Sequence, residues 1–473
     1  MIKKTLYKLL IFILCSNGYL IAQQSNANII GIWQGYLHIA TDSLSVVIVV
    51  EQDADTLRAE MDSPDQYAFG IKADAISLHR DTLTFKINSA GVTYTGIFNH
   101  DEQQIEGTFL QYKAKYPLIL KRISERTVLH RPQMPIAPFH YNIDEKIVIH
   151  NKENKPLITG TLTWPENASP KALVILISGS GWQDRDETIY GHKPFWVIAD
   201  YLTREGYAVF RYDDVYPAIF RQSTTLDFVN HVNLIVDSLT KDNRCKNIPV
   251  VLAGHSEGGL VALMAASQNK KINLVVSMAG VAEPFEETLL FQAAKAAQKQ
   301  DFTQIEIDNT VRYSSEIYEI LKKSKNKESA MKQLNTYLDN ITQKMSEEDK
   351  TKYGFTSDNI FKMKQQMASP WFYQLFKITP SKYIKKVTIP VYVLNGEKDM
   401  QVNATANVPL MQKYLPANKQ NRFDIFPGLN HLFQEAETGM YDEYGTIEQT
   451  ISPIVLKRIK EWLDFVIGQE SSR

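Results

Sequence analysis

Apolar and polar residues alternate with a period of two between about residues 28 and 122. Successive side chains of a strand point to opposite faces, so this period predicts strands that are buried on one face. The predicted strands are 32–40, 44–51, 56–61, 75–79, 82–87, 93–98, 105–111 and 116–121. About eight short strands separated by Asp, Asn and Gly turns predict a small all-β barrel or sandwich, which we assign to residues 28–125.

A different pattern begins after the Pro-rich segment 131–138, which lies in a predicted linker at 126–140. Apolar runs of strand length here alternate with stretches of helical spacing. The predicted strands are 143–150, 158–163, 173–178, 208–212, 250–253, 274–278 and 391–395, and the predicted helices include 194–204, 228–239 and 455–467. The first two strands are expected to form an antiparallel pair. Interleaved strands and helices predict a mostly parallel sheet with helices on both faces, built from 141–283 and 385–470.

Residues 284–384 interrupt this alternation. The segment is charged, and apolar residues recur at helical spacing in 291–299, 305–323 and 331–345. It leaves the sheet at the carboxyl end of a strand, which is the edge where α/β proteins place their ligand sites. We therefore expect a helical cap over the site, and the alternative is a helical subdomain without such a role.

The first 22 residues have the layout of a secretory signal peptide. Three lysines precede the apolar run 9–14, and polar residues follow Ala22. The apolar core is too short to span a bilayer, so we expect export to the periplasm or the medium without stable membrane insertion. Removal of residues 1–22 would leave Cys245 as the remaining cysteine, which excludes an internal disulfide. We expect Cys245 to be a buried small apolar group.

The stretch Gly-His-Ser-Glu-Gly at 254–258 is the first candidate for chemistry. It follows the apolar run 250–253 and precedes an apolar helix at 260–266. In this strand–turn–helix context, G-x-S-x-G places the serine on a sharp, strained turn, so Ser256 is the predicted nucleophile. The alternative is a tight turn with no chemical role.

A serine nucleophile needs a base and an acid that orients the base. His431 follows a short strand late in the chain, where the order Ser, Asp, His requires the base. Asp399 lies in the loop after the strand 391–395 and is the predicted acid, with Glu397 and Glu283 as competitors. His255 is expected to point into the fold beneath the turn.

The tetrahedral intermediate also needs hydrogen-bond donors for its oxyanion. The backbone N–H of Glu257, the residue after the nucleophile, is one predicted donor, and that of Ser180 in a Gly-rich loop is the other. The charged run 184–187 follows and is expected to brace this loop through ion pairs. Trp371 and Phe372 in the predicted cap either line an acyl pocket or pack the cap onto the core.

Six motifs carry a family resemblance between residues 140 and 470: SGSGWQDRDE, RYDD, GHSEGG, SPWF, LNGEKDMQV and GLNH. With these motifs the chain resembles exported bacterial carboxylesterases of the α/β-hydrolase superfamily, close to the serine aminopeptidase-like branch. The resemblance implies the triad Ser256, Asp399 and His431, without a cofactor or metal. The stretch DSPDQ at 62–66 is similar to the accessory domain of some members. Relatives continue RYDD with Arg-Gly, whereas this chain has a different loop at 215–220.

Three functions are compatible with these patterns. Hydrolysis of a small-molecule carboxylic ester through an acyl-enzyme is the leading interpretation. A peptidase on the same fold would need acidic residues for a substrate amine, and Glu283, Glu286 and Glu287 are candidates. A binding protein that uses the β-rich domain is the third. The formal net charge of −1 gives no electrostatic reason to expect nucleic acid as a partner.

Overall fold

The computed structural model describes residues 29–39, 42–54, 56–126 and 129–470. The predicted signal peptide at 1–22 lies outside these residues. The chain divides into two compact units, Met1–His130 and Arg131–Arg473.

The first unit is a single antiparallel sheet of nine strands. The strands are β1 (Gly31–Ile39), β2 (Asp42–Asp53), β3 (Thr56–Ser63), β4 (Ala68–Lys72), β5 (Ala75–His79), β6 (Thr82–Ile87), β7 (Val92–Asn99), β8 (Gln104–Gln111) and β9 (Ala114–Ile123), with a 3₁₀ turn at Pro64–Gln66. Their order in the sheet is β4-β3-β2-β1-β9-β8-β7-β6-β5. The eight predicted strands are confirmed within a few residues at their ends, and β4 was missed.

One face of this sheet holds an apolar core in which Trp33, Phe85 and Tyr94 are fully buried. Because all nine strands belong to one sheet, the structure agrees with the barrel form of the prediction and not with two packed sheets. The arrangement is a half-barrel, and among the described residues no pairing joins its end strands β4 and β5. Large side chains fill the interior, as is usual in small barrels.

The second unit contains an eight-stranded mixed sheet. Its strands are β10 (Asn142–His150), β11 (Pro156–Trp164), β12 (Leu173–Ile177), β13 (Ala208–Tyr212), β14 (Val250–His255), β15 (Leu274–Met278), β16 (Val391–Gly396) and β17 (Arg422–Phe426), in the order β10-β11-β13-β12-β14-β15-β16-β17. The predicted antiparallel pair β10–β11 is confirmed. The other six strands, β12 to β17, run parallel to one another. The carboxyl ends of these parallel strands therefore meet at one edge.

Thirteen helices lie within the described part of this unit. They are α1 (Pro194–Arg204), α2 (Pro217–Phe220), α3 (Thr225–Leu239), α4 (Glu257–Ala266), α5 (Phe285–Lys299), α6 (Gln304–Lys323), α7 (Lys327–Thr342), α8 (Glu347–Lys352), α9 (Ser357–Met367), α10 (Pro370–Leu375), α11 (Pro380–Ile384), α12 (Ala404–Tyr414) and α13 (Pro453–Glu470), with a 3₁₀ turn at Tyr441–Glu443. Helices α1 and α13 share one core with the sheet, and α3, α4 and α12 share the other. Helices therefore cover both faces, as predicted.

The segment between β15 and β16 contains α5 to α11 and no strand in the described part of the chain. Most of its buried apolar residues join the same apolar core as α3 and α4. Cys245 is fully buried in that core, and burial raises the pKa of its thiol to about 12. Across the described residues, no helix combines the length and apolar character needed to cross a bilayer.

Candidate active site

The turn between β14 and α4 holds Ser256 in a strained conformation. Ser256 has φ 55° and ψ −122°, a left-handed φ that residues with side chains rarely adopt. The turn leaves no room for side chains on either glycine. A Cβ on Gly254 would lie 2.0 Å from the carbonyl oxygen of Gly258, and one on Gly258 would lie 2.3 Å from that of Ile177. The spacing G-x-S-x-G thus follows from this close backbone packing.

His431 and Asp399 are joined in a buried pair. The Nδ1 atom of His431 lies 2.7 Å from Oδ2 of Asp399, and the two side chains are 4% and 0% exposed. The other oxygen, Oδ1, accepts the backbone N–H groups of Gln401 and Val402, each at 2.8 Å. A carboxylate can only accept hydrogen bonds, so the Nδ1 atom of His431 carries the proton in this pair. The Nε2 atom is then free to accept a proton from another group.

The two competing acids are engaged in other contacts. Glu397 accepts the N–H of Gly428 at 3.0 Å, and Glu283 accepts the side-chain amide of Asn407 at 2.8 Å. The structure therefore places Asp399, and neither competitor, against His431.

The loop that carries His431 lies close to the serine turn. His255, the residue before Ser256, bonds through Nε2 to the backbone oxygen of His431 at 3.0 Å, and the two rings are 4.7 Å apart. Within the described part of the chain, neither the Ser256 hydroxyl nor Nε2 of His431 has a hydrogen bond. Contacts of this kind often form only when substrate is bound, so the open pair is compatible with catalysis.

The Gly-rich loop after β12 lies against the nucleophile because β12 pairs in parallel with β14. A Cβ on Gly179 would lie 3.2 Å from Cβ of Ser256. The N–H of Gly179 is already donated to Glu187 at 2.7 Å, which leaves the N–H of Ser180 as the next donor on the loop. Glu257 is the first residue of α4, so its N–H has no partner within the helix.

Charged residues brace this loop, as the sequence predicted. Arg185 donates from Nε to Asp213 at 3.0 Å, and Asp186 pairs with buried Arg211. Asp214 accepts the N–H of Gln183 at 2.9 Å. The loop is therefore tied to the residues that follow β13.

The pKa values of the neighbouring carboxyls Asp213 and Asp214 are shifted in opposite directions. Burial raises the pKa of Asp214 to about 7, with the nearby charges of Glu257 and Glu187 adding to the effect. Burial also opposes ionisation of Asp213, but its bonds to Arg185 outweigh that effect and lower its pKa. Sequence reasoning missed Asp214, since a titration near neutral pH depends on burial that the sequence does not display.

Trp371 connects the helical insertion to the serine turn. Its indole Nε1 donates to Oε1 of Glu257 at 3.0 Å, and the hydroxyl of Thr225 donates to the same oxygen at 2.7 Å. Glu257 is 3% exposed, and its burial raises the pKa of the carboxyl. Phe372, the next residue of α10, is 3% exposed and packs against Phe376 with ring centroids 5.4 Å apart.

A cleft of about 340 Å³ adjoins the acid loop. Its walls are formed by α5, by Met400 and Gln401 after Asp399, and by Tyr441 and Tyr444 beyond His431. The side chain of Gln292 on α5 donates to the carbonyl of Gln401 at 3.0 Å, so the insertion contacts the acid loop directly.

Sheet order, serine turn and His–Asp pair together define an α/β hydrolase fold. The family model for serine aminopeptidase, S33 matches residues 168–437, more than half of the chain. The chain belongs to this family.

Similar proteins were found among curated sequences and solved structures. Esterase EstD of Thermotoga maritima is 24% identical over 290 residues, which are 59% of this chain and 59% of that protein. The chain thus spans about three fifths of the length of that relative. The similar structures include an esterase of Pyrococcus furiosus, which is 15% identical and covers 69% of this chain and 91% of its own, with a TM-score of 0.39. They also include Est1E of Butyrivibrio proteoclasticus, which is 16% identical and covers 69% of this chain and 100% of its own, with a TM-score of 0.39.

Proposed function

We propose that the protein is a serine hydrolase that cleaves small-molecule carboxylic esters through an acyl-enzyme. The observation that carries this proposal is the buried His431–Asp399 pair, held beside a serine on a strained turn. The relative named Esterase EstD supports ester hydrolysis as the reaction class.

In the proposed first step, Oγ of Ser256 attacks the ester carbonyl and His431 takes the serine proton on Nε2. Asp399 stabilises the imidazolium that forms. The backbone N–H groups of Glu257 and Ser180 donate to the oxyanion. His431 then gives its proton to the departing alcohol, which leaves the acyl group on Ser256.

In the second step, water attacks the acyl-enzyme. His431 takes a proton from the water and returns it to Oγ of Ser256 as the acid is released. Every proton transfer in both steps passes through Nε2 of His431. This explains why the proposal requires that nitrogen to be open.

Peptide hydrolysis is the alternative that the family description keeps in view. A peptidase of this type would need carboxylates open to a substrate amine. Glu283 is bonded to Asn407, and Glu286 is paired with Lys322, so two of the three predicted acids already have partners. Their engagement favours an ester as substrate.

A substrate panel separates these two functions. Aryl esters of increasing acyl length would be assayed beside aminoacyl arylamides, with Ser256→Ala as the background control. We expect ester turnover to exceed arylamide turnover by orders of magnitude. Preferential cleavage of the arylamides would instead support the peptidase.

Export is a separate proposal, and it rests on residues 1–22 of the sequence alone. We expect the mature protein to begin near Gln23. N-terminal sequencing of protein recovered from its native cell tests this. An intact N-terminus on protein from the cytoplasm would contradict it.

A further inference from the structure

A second buried histidine–carboxylate pair lies directly beneath the candidate nucleophile. Nδ1 of His255 is 3.0 Å from Oε1 of Glu187, and the two side chains are 9% and 6% exposed. The other ring nitrogen, Nε2, is 3.0 Å from the backbone oxygen of His431. Neither His255 nor Glu187 has a part in the steps proposed above.

Glu187 also holds the oxyanion loop. Its Oε1 accepts the N–H of Gly179 at 2.7 Å, in addition to its contact with His255. The contacts form one continuous path from Gly179 through Glu187 and His255 to the backbone of His431. This path runs beneath Ser256 and links the loop of the oxyanion donor to the loop of the base.

Both contacts of His255 are to hydrogen-bond acceptors. A backbone carbonyl can only accept, and Oε1 of Glu187 already accepts from Gly179. His255 satisfies both partners only when each ring nitrogen carries a proton. Burial works against this charged form, but the charge and hydrogen bond of Glu187, the bond to the backbone of His431 and the charge of Asp399 outweigh it and raise the pKa of His255. His431 is the third titratable group that faces it.

We propose that His255, as an imidazolium, and Glu187 are positioning residues that fix the oxyanion loop and the His431 loop on either side of Ser256. With Gly179 held by Glu187, the next N–H along the loop, that of Ser180, is directed to the oxyanion. Loss of one proton from His255 removes one of its two bonds and so breaks the connection between the two loops. This inference rests on the proposed function, since it assigns roles in the same reaction.

Glu187→Gln and His255→Gln test the inference. The amide that Glu187→Gln introduces keeps an oxygen for the N–H of Gly179 but has no negative charge. We expect kcat to fall by on the order of 10²-fold in each variant with KM little changed, because a small displacement of reacting groups costs about this much. His192→Gln is the matched control, since His192 is also a buried histidine and bonds the backbone oxygen of Tyr444.

The pH profile of kcat separates positioning from packing. Without the Glu187 carboxylate His255 loses its proton more readily, so Glu187→Gln should shift the alkaline decline of kcat to lower pH. His255→Gln should abolish that decline, and His192→Gln should leave it in place even if stability falls. A folded Glu187→Gln variant with the wild-type profile and kcat would overturn the inference.

The same variants distinguish failure of this inference from failure of the proposed function. Fluorophosphonate reacts with an activated serine, so wild type should be labelled at Ser256, and both variants should be labelled there more slowly. Equal labelling rates in the folded variants and wild type would overturn the positioning role alone. Absence of labelling in wild type would count against the proposed function itself.

Discussion

Two histidine–carboxylate pairs lie side by side at the carboxyl edge of the second sheet. His431 with Asp399 and His255 with Glu187 are both buried, at 2.7 Å and 3.0 Å, and their imidazole rings are 4.7 Å apart. The pairs differ at the second ring nitrogen. That of His255 is bonded to a backbone oxygen, whereas that of His431 has no hydrogen bond within the described residues. A nearby carboxylate therefore does not by itself mark a candidate base; the second ring nitrogen, which has no hydrogen bond within the described residues, is what distinguishes His431 from His255.

The largest expected effect comes from removing the nucleophile that this open nitrogen would serve. Ser256→Ala should lower kcat by about 10⁴- to 10⁶-fold, and adding His431→Ala should lower it little further, because members of a triad act as a unit. Steady-state ester hydrolysis measures this. Ser180→Ala is the control, since alanine retains the backbone N–H. Ester turnover above a tenth of wild type in purified Ser256→Ala would break the distinction between the two pairs.

Asp399→Asn should have the next largest effect. The amide favours the wrong tautomer of His431, and we expect kcat to fall about 10⁴-fold. Glu397→Gln is the matched control, because Glu397 lies two residues away and contacts the N–H of Gly428 instead. Comparable losses in the two variants would show that the acid has been assigned to the wrong residue.

A third buried carboxylate, that of Glu257, accepts hydrogen bonds from Trp371 and Thr225 and has no histidine partner among the described residues. Trp371→Phe removes the indole donor and should lower the free energy of unfolding by roughly 1–3 kcal/mol. The lost bond stabilises the ionised carboxyl, so the loss should be larger at high pH than at low pH. Denaturant titration at several pH values measures it.

Phe372→Leu supplies the control for this experiment. It alters apolar packing beside Trp371 without touching Glu257, and its effect on unfolding should be independent of pH. Equal pH dependence in the two variants would mean that the indole contact is not what stabilises the carboxylate.

The smallest expected effect concerns the carboxyls that brace the oxyanion loop. Asp214 has its pKa raised from 3.8 to about 7, so the stability linked to its protonated form is present below pH 3.8 and is lost as pH rises through 7. Asp214→Asn should remove this decline. For Asp213, whose pKa is lowered, the linked stability is present above 3.8 and is lost as pH falls below it.

Thermal melts of wild type, Asp214→Asn and Asp213→Asn across this pH range provide the measurement. The two substitutions should change the dependence of the melting temperature on pH in different pH ranges. The same change in both variants would contradict the opposite pKa shifts of the two carboxyls.

Local patterns in the sequence were sufficient to predict most of the fold. Strands β12 to β16 are mostly apolar and are buried along their whole length. The alternation in β6 and β7 matches their one-sided burial. Strand β4 was missed because it is short, Ala68–Lys72, and Gly70, with a φ of 65°, interrupts its apolar residues.

The candidate site was predictable only in part. Ser256 and His431 could be found from a local motif and from chain order. The contact between His255 and Glu187 joins residues 68 positions apart, and it depends on the parallel pairing of β12 with β14. Trp371 was assigned to an acyl pocket or to packing, and its bond to Glu257 spans 114 positions. Sequence spacing carries no information on such contacts.

Covalent capture of the nucleophile tests the central claim most directly. Wild-type protein would be treated with a fluorophosphonate, digested and mapped by mass spectrometry, beside Ser256→Ala and His431→Ala. We predict a single stoichiometric adduct on the peptide that contains Ser256, absent from Ser256→Ala and strongly reduced in His431→Ala. An adduct on a different serine, or ester hydrolysis that persists without any adduct, would contradict the account.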